Sequence, residues 1–295
     1  MNTYSLFQNW LNLEDAWQIT DSQIVVYLVL SIALLAIAKL INDRISPYDL
    51  NEQLTTADNK AIALAFAGYL ISIVIIIHSV LSASASKGLW ADIIDTSFWS
   101  LIGIALLQIS RFVNNKWLLH KFDVWKELLT DKNVGAGAIQ CGAYIGSAFM
   151  IKAALYGDEE TTFLISIIAA VVYFAIGQIA FILLSILYQR VSAFDLHKEI
   201  ENDNIAVGVG FGMTLIATGI LLSGYLMKYD SFVGLALWFI FGAFLIIVGR
   251  YLIDKIILPK ASLDAEISED RNWGAALIEG CGAIGLALIL TALLG

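Results

Sequence analysis

The chain has 295 residues, of which 59% are hydrophobic and only 15% charged, with a mean hydropathy of +0.78 and a formal net charge of −9. A soluble domain covers its surface with about 25% charged residues, so this composition excludes an ordinary soluble globule. The acidic balance excludes nucleic-acid binding, which needs a basic patch. Two cysteines with no CxxC or Cys/His spacing point to neither a disulfide framework nor a metal site.

In chain order, residues 1–23 contain no Lys or Arg and so lack the positive start of a signal peptide. Trp10, Trp17, Leu6, Leu11 and Leu13 among polar neighbours fit a short interfacial helix within Tyr4–Ile19. Eight apolar runs follow: Ile24–Ile41, Ala61–Leu81, Ile93–Val113, Val134–Leu155, Phe163–Tyr188, Ile205–Leu226, Phe232–Ile253 and Trp273–Leu294. Each is long enough to cross the roughly 30 Å apolar core of a bilayer as a helix. The fold class is therefore all-α, a polytopic membrane protein with eight transmembrane helices. Cys141 and Cys281 fall inside these runs and read as small buried hydrophobes.

All but three of the 17 Lys and Arg residues flank or lie in the segments between spans 1–2, 3–4, 5–6 and 7–8; the exceptions are Lys87, Lys152 and Lys228. The positive-inside rule places those segments in the cytoplasm and both termini in the periplasm. Each segment ends in an asparagine that opens the next helix: Asn59, Asn133, Asn204 and Asn272. Small residues stand two and four positions later. Within each loop, pairs such as Leu50/Leu54 and Leu196/Ile200, with Trp125 beside Leu128 and Leu129, predict a short amphipathic helix at the cytoplasmic interface. Asp58, Asp131, Asp203 and Asp270, or the asparagines themselves, are the candidate caps.

The loops divide the chain into four helix–loop–helix units in two parallel halves, 24–157 and 158–295, after the tail of 1–23. The pattern predicts a symmetric ring, or two pairs, of units related by an axis along the membrane normal. In a ring, the four helix N-termini would converge on one vestibule able to hold an anion.

No Walker A loop, HExxH or GxSxG occurs, and the glycines of 208–212 sit inside an apolar helix rather than after a strand. The sequence thus points to no enzyme and no cofactor. Gly142/Gly146 and Gly208/Gly212 read as helix-packing pairs. Glu279 is the one acid well inside a span, with Gln140 in the matching place of the second unit; together they make a candidate intramembrane polar site for a proton or cation, or a hydrogen-bonded structural pair. Arg111 and Arg250, equivalent in alignment, are candidates for snorkelling, for pairing with loop acids or for binding an anionic headgroup.

The stretches TTADNKAIALAFAG, TDKNVGAGAIQCGAYIG, ENDNIAVGVGFG and EDRNWGAALIEGCGAIG resemble a bacterial inner-membrane family known only as domain of unknown function 350, here in tandem copies. Units 2 and 4 depart from its acid–Asn element, carrying Lys132 and Arg271 in place of the acid. The resemblance implies an inner-membrane protein without assigned activity; similar proteins tend to be encoded near membrane-stress and ATP-grasp-type proteins, which implies an envelope role. The expected function is a transporter or channel-like protein for an ion or small solute, with a polar path along the axis between the halves. The alternative is a scaffold that recruits soluble envelope-stress partners through its cytoplasmic loops. The partners compatible with this are the lipid bilayer, a second copy of the chain and a cytoplasmic protein, with no role for nucleic acid.

Overall fold

The computed structural model describes residues 22–83, 88–119, 123–156, 162–229, 231–257, 259 and 261–294. The interfacial helix expected near the N-terminus and Lys87 lie outside them, and Ser22 and Gln23 already belong to the first helix. The described residues form eleven α-helices: α1 Ser22–Ile45, α2 Leu50–Thr55, α3 Lys60–Ala83, α4 Leu89–Val113, α5 Val134–Ala154, α6 Phe163–Val191, α7 Leu196–Glu201, α8 Ile205–Leu226, α9 Phe232–Leu252, α10 Leu263–Ser268 and α11 Trp273–Leu293. Wide π-helical turns extend α4 over Asn114–Leu118 and α9 over Ile253–Ile257, and a third, Lys126–Thr130, replaces the short helix in the second loop. Eight helices are long and apolar enough to cross a membrane. Helix is the form such runs must take, because hydrocarbon offers the backbone no hydrogen-bond partner.

The packing has two layers. The second helix of each unit stands in an inner row, in the order α3, α5, α8, α11, with the most extensive contacts between consecutive members. The first helices lie outside it: α4 in the groove between α3 and α5, α6 between α5 and α8, α9 between α8 and α11, and α1 beside α3 and α4. The most apolar windows of α5 and α8 are 78% buried, against 11% for α1 and 17% for α9.

Glycines decide which helices form the inner row. Apolar side chains gain little by leaving lipid for protein, so membrane helices associate where small residues let backbones meet. A Cβ on Gly142 of α5 would fall 2.5 Å from Gly212 Cα of α8, and one on Gly146 would fall 2.6 Å from the Leu215 carbonyl oxygen.

Three expectations are corrected here. The units form an open row, since α3 and α11 at its ends make no extensive contact with each other among the described residues; α5 turns small residues to both of its neighbours, Gly137 to Ala61 of α3 and Gly142 to Gly212 of α8. The α5–α8 joint is backbone against backbone, so no polar path runs between the halves. Cys281 is exposed, on a side of α11 that meets no other helix among the described residues, and Cys141 of α5 is partly exposed.

Candidate functional sites

The asparagines build the joints between units. Asn133, Asn204 and Asn272 have extended backbone, and the Oδ1 of all four accepts first-turn amides of the helix it opens: Ala61 and Ile62 for Asn59 (both 3.1 Å), Ala136 for Asn133 (3.0 Å), Ala206 and Val207 for Asn204 (3.1 and 3.4 Å), Gly274 and Ala275 for Asn272 (3.1 and 3.2 Å). This is N-capping, and it fills the orphan donors of the helix start. The four N-termini are closed by their own asparagines, so they form no open anion vestibule.

Asp58 and Asp203 do not cap. They, with Lys132 and Arg271, take left-handed backbone with φ of 46°, 58°, 53° and 51°. That turn is the common requirement of the position, which is why the charge there can reverse between units. An L-residue in this region is disfavoured and persists where the surroundings fix it.

The asparagine amides do two further things. Each Nδ2 donates to a side chain five or six residues back: Gln53 at 2.8 Å, Glu127 at 2.8 Å, Glu199 at 3.0 Å and Glu266 at 2.9 Å. In three units it also reaches into the following unit. Asn59 donates to the Leu128 carbonyl at 2.8 Å, Asn133 to Ile200 at 2.5 Å, and Asn204 to Ile267 and Ser268 at 3.0 and 3.3 Å. These joints pull the loop segments inward. Leu50, Leu128, Leu196, Ile200, Leu263 and Ile267 are buried, so the short helices turn their apolar side into the protein rather than along the lipid interface. Glu127 is buried with them, and burial pushes its carboxyl above the ordinary 4.5 against the opposing pull of the Asn133 amide.

Glu279 and Gln140 do not come together; each belongs to the arginine of its own half. Arg250, at the end of α9, places Nε 3.1 Å from Glu279 Oε1, pairs through Nη2 with Asp264 of α10, and donates from Nη1 to Ser192 Oγ at 2.9 Å. Its guanidinium lies 5.3 Å from the centre of the Tyr188 ring. Glu279 Oε2 and the Tyr188 hydroxyl have no hydrogen-bond partner and converge on Gly210, where a Cβ would lie 3.3 and 3.5 Å from them. Pairing with a loop acid is thus what Arg250 does.

Arg111 stands at the corresponding place, 6% exposed, in a different setting. Its Nη1 donates to Asn42 Oδ1 at 3.2 Å and Ser46 Oγ at 3.0 Å, and its guanidinium lies 5.6 Å from the centre of the Trp125 ring. Trp125 occupies the position of Asp264, and Gln140, which donates to Asn115, that of Glu279. No carboxylate among the described residues is within ion-pair distance of Arg111. A narrow cleft opens beside it, lined by Asn42, Tyr48, Tyr69, Trp125, Gln140 and Tyr144. Burial pushes the Tyr48 hydroxyl above its ordinary 10.0, keeping it a neutral hydrogen-bond donor.

Toward both of its ends α4 buries further polar groups, separated by the buried apolar Ile104, Leu106 and Leu107. Asp92, Thr96, Ser100, Ser110, Arg111 and Asn114 are all at most 6% exposed. Asp92 accepts from Tyr27 at 3.1 Å. Ser110 donates to Ser147 at 2.6 Å, and Gln178 donates to the same hydroxyl at 3.3 Å. Thr96 Oγ1, Ser100 Oγ, Asn114 Oδ1 and Gln178 Oε1 are buried without a hydrogen-bond partner among the described residues. The matching positions of α9 are Leu235 for Thr96, Phe239 for Ser100, Gly249 for Ser110 and Ile253 for Asn114. Reading the sequence as runs passed over these groups. The signal was there: Asp92, Thr96 and Ser100 recur at a four-residue spacing inside a span that lipid selects to be apolar.

A family model described as Domain of Unknown Function (DUF350) matches residues 10–155 and 162–294. A "UPF0719 transmembrane protein" of Aquifex aeolicus (strain VF5) is 23% identical over 244 residues, covering 80% of this chain and 87% of that protein. The "UPF0719 transmembrane protein YshE" of Bacillus subtilis (strain 168) is 22% identical over 120 residues, which are 41% of this chain and 88% of that shorter protein. No solved structure matches.

Proposed function

We propose that this chain, which belongs to the DUF350 family, is a multi-pass membrane carrier that takes a small anion at Arg111 and passes it along α4. The observation that supports this is a buried arginine with no carboxylate among the described residues at ion-pair distance, on a spanning helix that buries further polar groups, Asp92, Thr96 and Ser100 toward one end and Ser110 and Asn114 beside the arginine. Taking an arginine out of water costs several kcal/mol unless an anion and hydrogen bonds compensate it. In the second half Glu279 and Asp264 supply that compensation from within the protein. In the first half neutral Gln140 and Trp125 leave the place of the two carboxylates to a ligand's anionic group. Buried polar residues in a span are expensive, and their default reading is a substrate or ion pathway.

In this reading the loop side is cytoplasmic in a bacterial inner membrane and the termini are periplasmic, as the distribution of Lys and Arg suggests. The protein catalyses no covalent step. The scaffold alternative gains no support from the loops, whose apolar side chains are turned inward.

The test uses purified protein in liposomes on a solid-supported membrane, challenged with inorganic phosphate, sulfate and small mono- and dicarboxylates. The expected result is a transient current with at least one of these anions that disappears in Arg111→Gln. No current with any of them, together with an anionic phospholipid retained by wild type and lost from Arg111→Gln in native mass spectrometry, would replace the carrier by a lipid-headgroup site.

A further inference from the structure

The inner row stops at α3 and α11 although neither end is finished. Three of the four asparagines make the joint to the next unit and are at most 1% exposed; Asn272 is exposed, and among the described residues its amide donates only to Glu266 of its own loop. At the other end of the row one acceptor of the same kind is left over. Leu54 precedes Asn59 by five residues, as Leu128 precedes Asn133 and Ile267 precedes Asn272, yet its carbonyl accepts no hydrogen bond among the described residues. One donor and one acceptor of a repeated joint are thus unused, at opposite edges of the same molecule.

The helix faces at the two edges match in the same way. The α5 face that meets α8 carries Gly135, Ala138, Gly142 and Gly146, and aligned with it on α11 are Gly274, Leu277, Cys281 and Gly285. Leu277 is 39% exposed, Cys281 is exposed, and a Cβ on Gly285 would meet nothing within 4 Å. The α8 face that meets α5 carries Gly208, Gly212, Leu215 and Gly219; on α3 these align with Ala63, Ala67, Leu70 and Val74, of which Ala63, Ala67 and Val74 are exposed. Lipid contact asks for bulky apolar side chains, whereas small residues in register are what a neighbouring backbone needs.

We infer that a second copy of this chain docks head to tail, α11 of one copy against α3 of the next, continuing the α5–α8 interface across the molecular boundary. Asn272 donates to the Leu54 carbonyl of the neighbouring copy. Gly274 faces Ala63, Cys281 faces Ala67, and Gly285 faces Leu70 and Val74. Ala67 and Cys281 stand where the internal joint has Gly212 and Gly142, so the two helices lie farther apart than α5 and α8 while keeping their register. Such a contact uses different surfaces on the two partners, and it yields a closed ring if the rotation from copy to copy closes.

The register gives a direct test in native membranes. Cysteines on helices in close contact meet the separation a disulfide needs, about 4.4–6.8 Å between Cα atoms. In a Cys141→Ala background, Ala67→Cys should oxidise with the native Cys281 of the neighbour to a band at twice the 32.3 kDa of the chain. The band should vanish in Ala67→Cys/Cys281→Ala. Ile240→Cys, on the outer layer and 63% exposed, should give no such band with Cys281. As a measurement independent of any variant, wild-type protein in lipid nanodiscs should have the mass of two or more copies. A single copy in the nanodisc, or an Ile240→Cys band as strong as that of Ala67→Cys, would overturn the inference.

Discussion

The two halves hold the same arginine in opposite states of charge balance. Arg250 sits among Glu279, Asp264, Ser192 and Tyr188; Arg111 sits among Gln140, Trp125, Ser46 and Asn42. Arg111, Trp125 and Gln140 align without a gap with Arg250, Asp264 and Glu279, so the difference lies in these substitutions together with the π-helical turn that stands in the second loop for α10. The helix that carries each arginine differs in the same sense: α4 buries polar groups at positions where α9 is apolar. One half thus closes its arginine with its own carboxylates, Glu279 and Asp264. The other half keeps a cation that bonds to neutral Asn42 and Ser46, and two α4 hydroxyls, Thr96 and Ser100, that have no hydrogen-bond partner among the described residues.

The largest expected effect is on stability, and it should fall on the second half. Arg250→Leu strands Glu279 and Asp264 without their cation, and breaking a buried pair in this way costs about 3–5 kcal/mol. Arg111→Leu removes hydrogen bonds to neutral Asn42 and Ser46 and strands no carboxylate among the described residues, so its cost should be smaller, about 1.5–3 kcal/mol, the scale of a hydrogen bond to a charged group. Thermal unfolding of the two variants in detergent checks this. Equal losses would mean that Arg111 has an anionic partner within the protein.

A smaller effect, of opposite sign, is expected along α4. Thr96→Val keeps the shape of the side chain and removes a buried hydroxyl that has no partner among the described residues. It should raise stability by up to about 1 kcal/mol, since an unsatisfied buried polar group carries an uncompensated desolvation cost. The same variant should slow anion current several-fold if the hydroxyl belongs to the route. Lower stability would show that Thr96 is structurally bonded, and unchanged current would remove it from the route.

The smallest effect concerns Glu127, whose place in the first unit is taken by neutral Gln53. A carboxyl with its folded pKa raised holds its proton longer when folded than when unfolded. Its contribution to stability is therefore full below the ordinary 4.5 and is lost as pH rises through the folded value. Glu127→Gln should make the unfolding temperature less dependent on pH from about 4.5 upward while preserving the Asn133 joint. An unaltered pH profile would place the titration elsewhere.

The sequence carried the eight spans, because these depend on hydrophobic length along the chain. It also offered loop-acid pairing for the arginines, which Arg250 adopts through Asp264. The open row was not legible: whether glycine faces close a ring depends on which neighbour each face meets, and Gly135 and Gly137 are only two residues apart in α5 yet approach α8 and α3 respectively. The role of the position before each asparagine was hidden by its charge, since Asp58 and Lys132 share a backbone angle and not a chemistry. Trp125 read as a hydrophobic partner of Leu128 and Leu129, and only the fold shows that it stands over Arg111 where Asp264 pairs with Arg250.

The central claim is that an external anion takes at Arg111 the place that Glu279 and Asp264 fill at Arg250. Gln140→Glu tests it by writing the second half's carboxylate into the first. Anion-evoked current should be measured on wild type and Gln140→Glu in the same liposomes, with the unfolding temperature of each recorded alongside. The account predicts a variant that is more stable, by about 1.5–3 kcal/mol for a hydrogen bond to a charged group, and that no longer carries current. A Gln140→Glu protein that folds and carries the anion as well as wild type would contradict it.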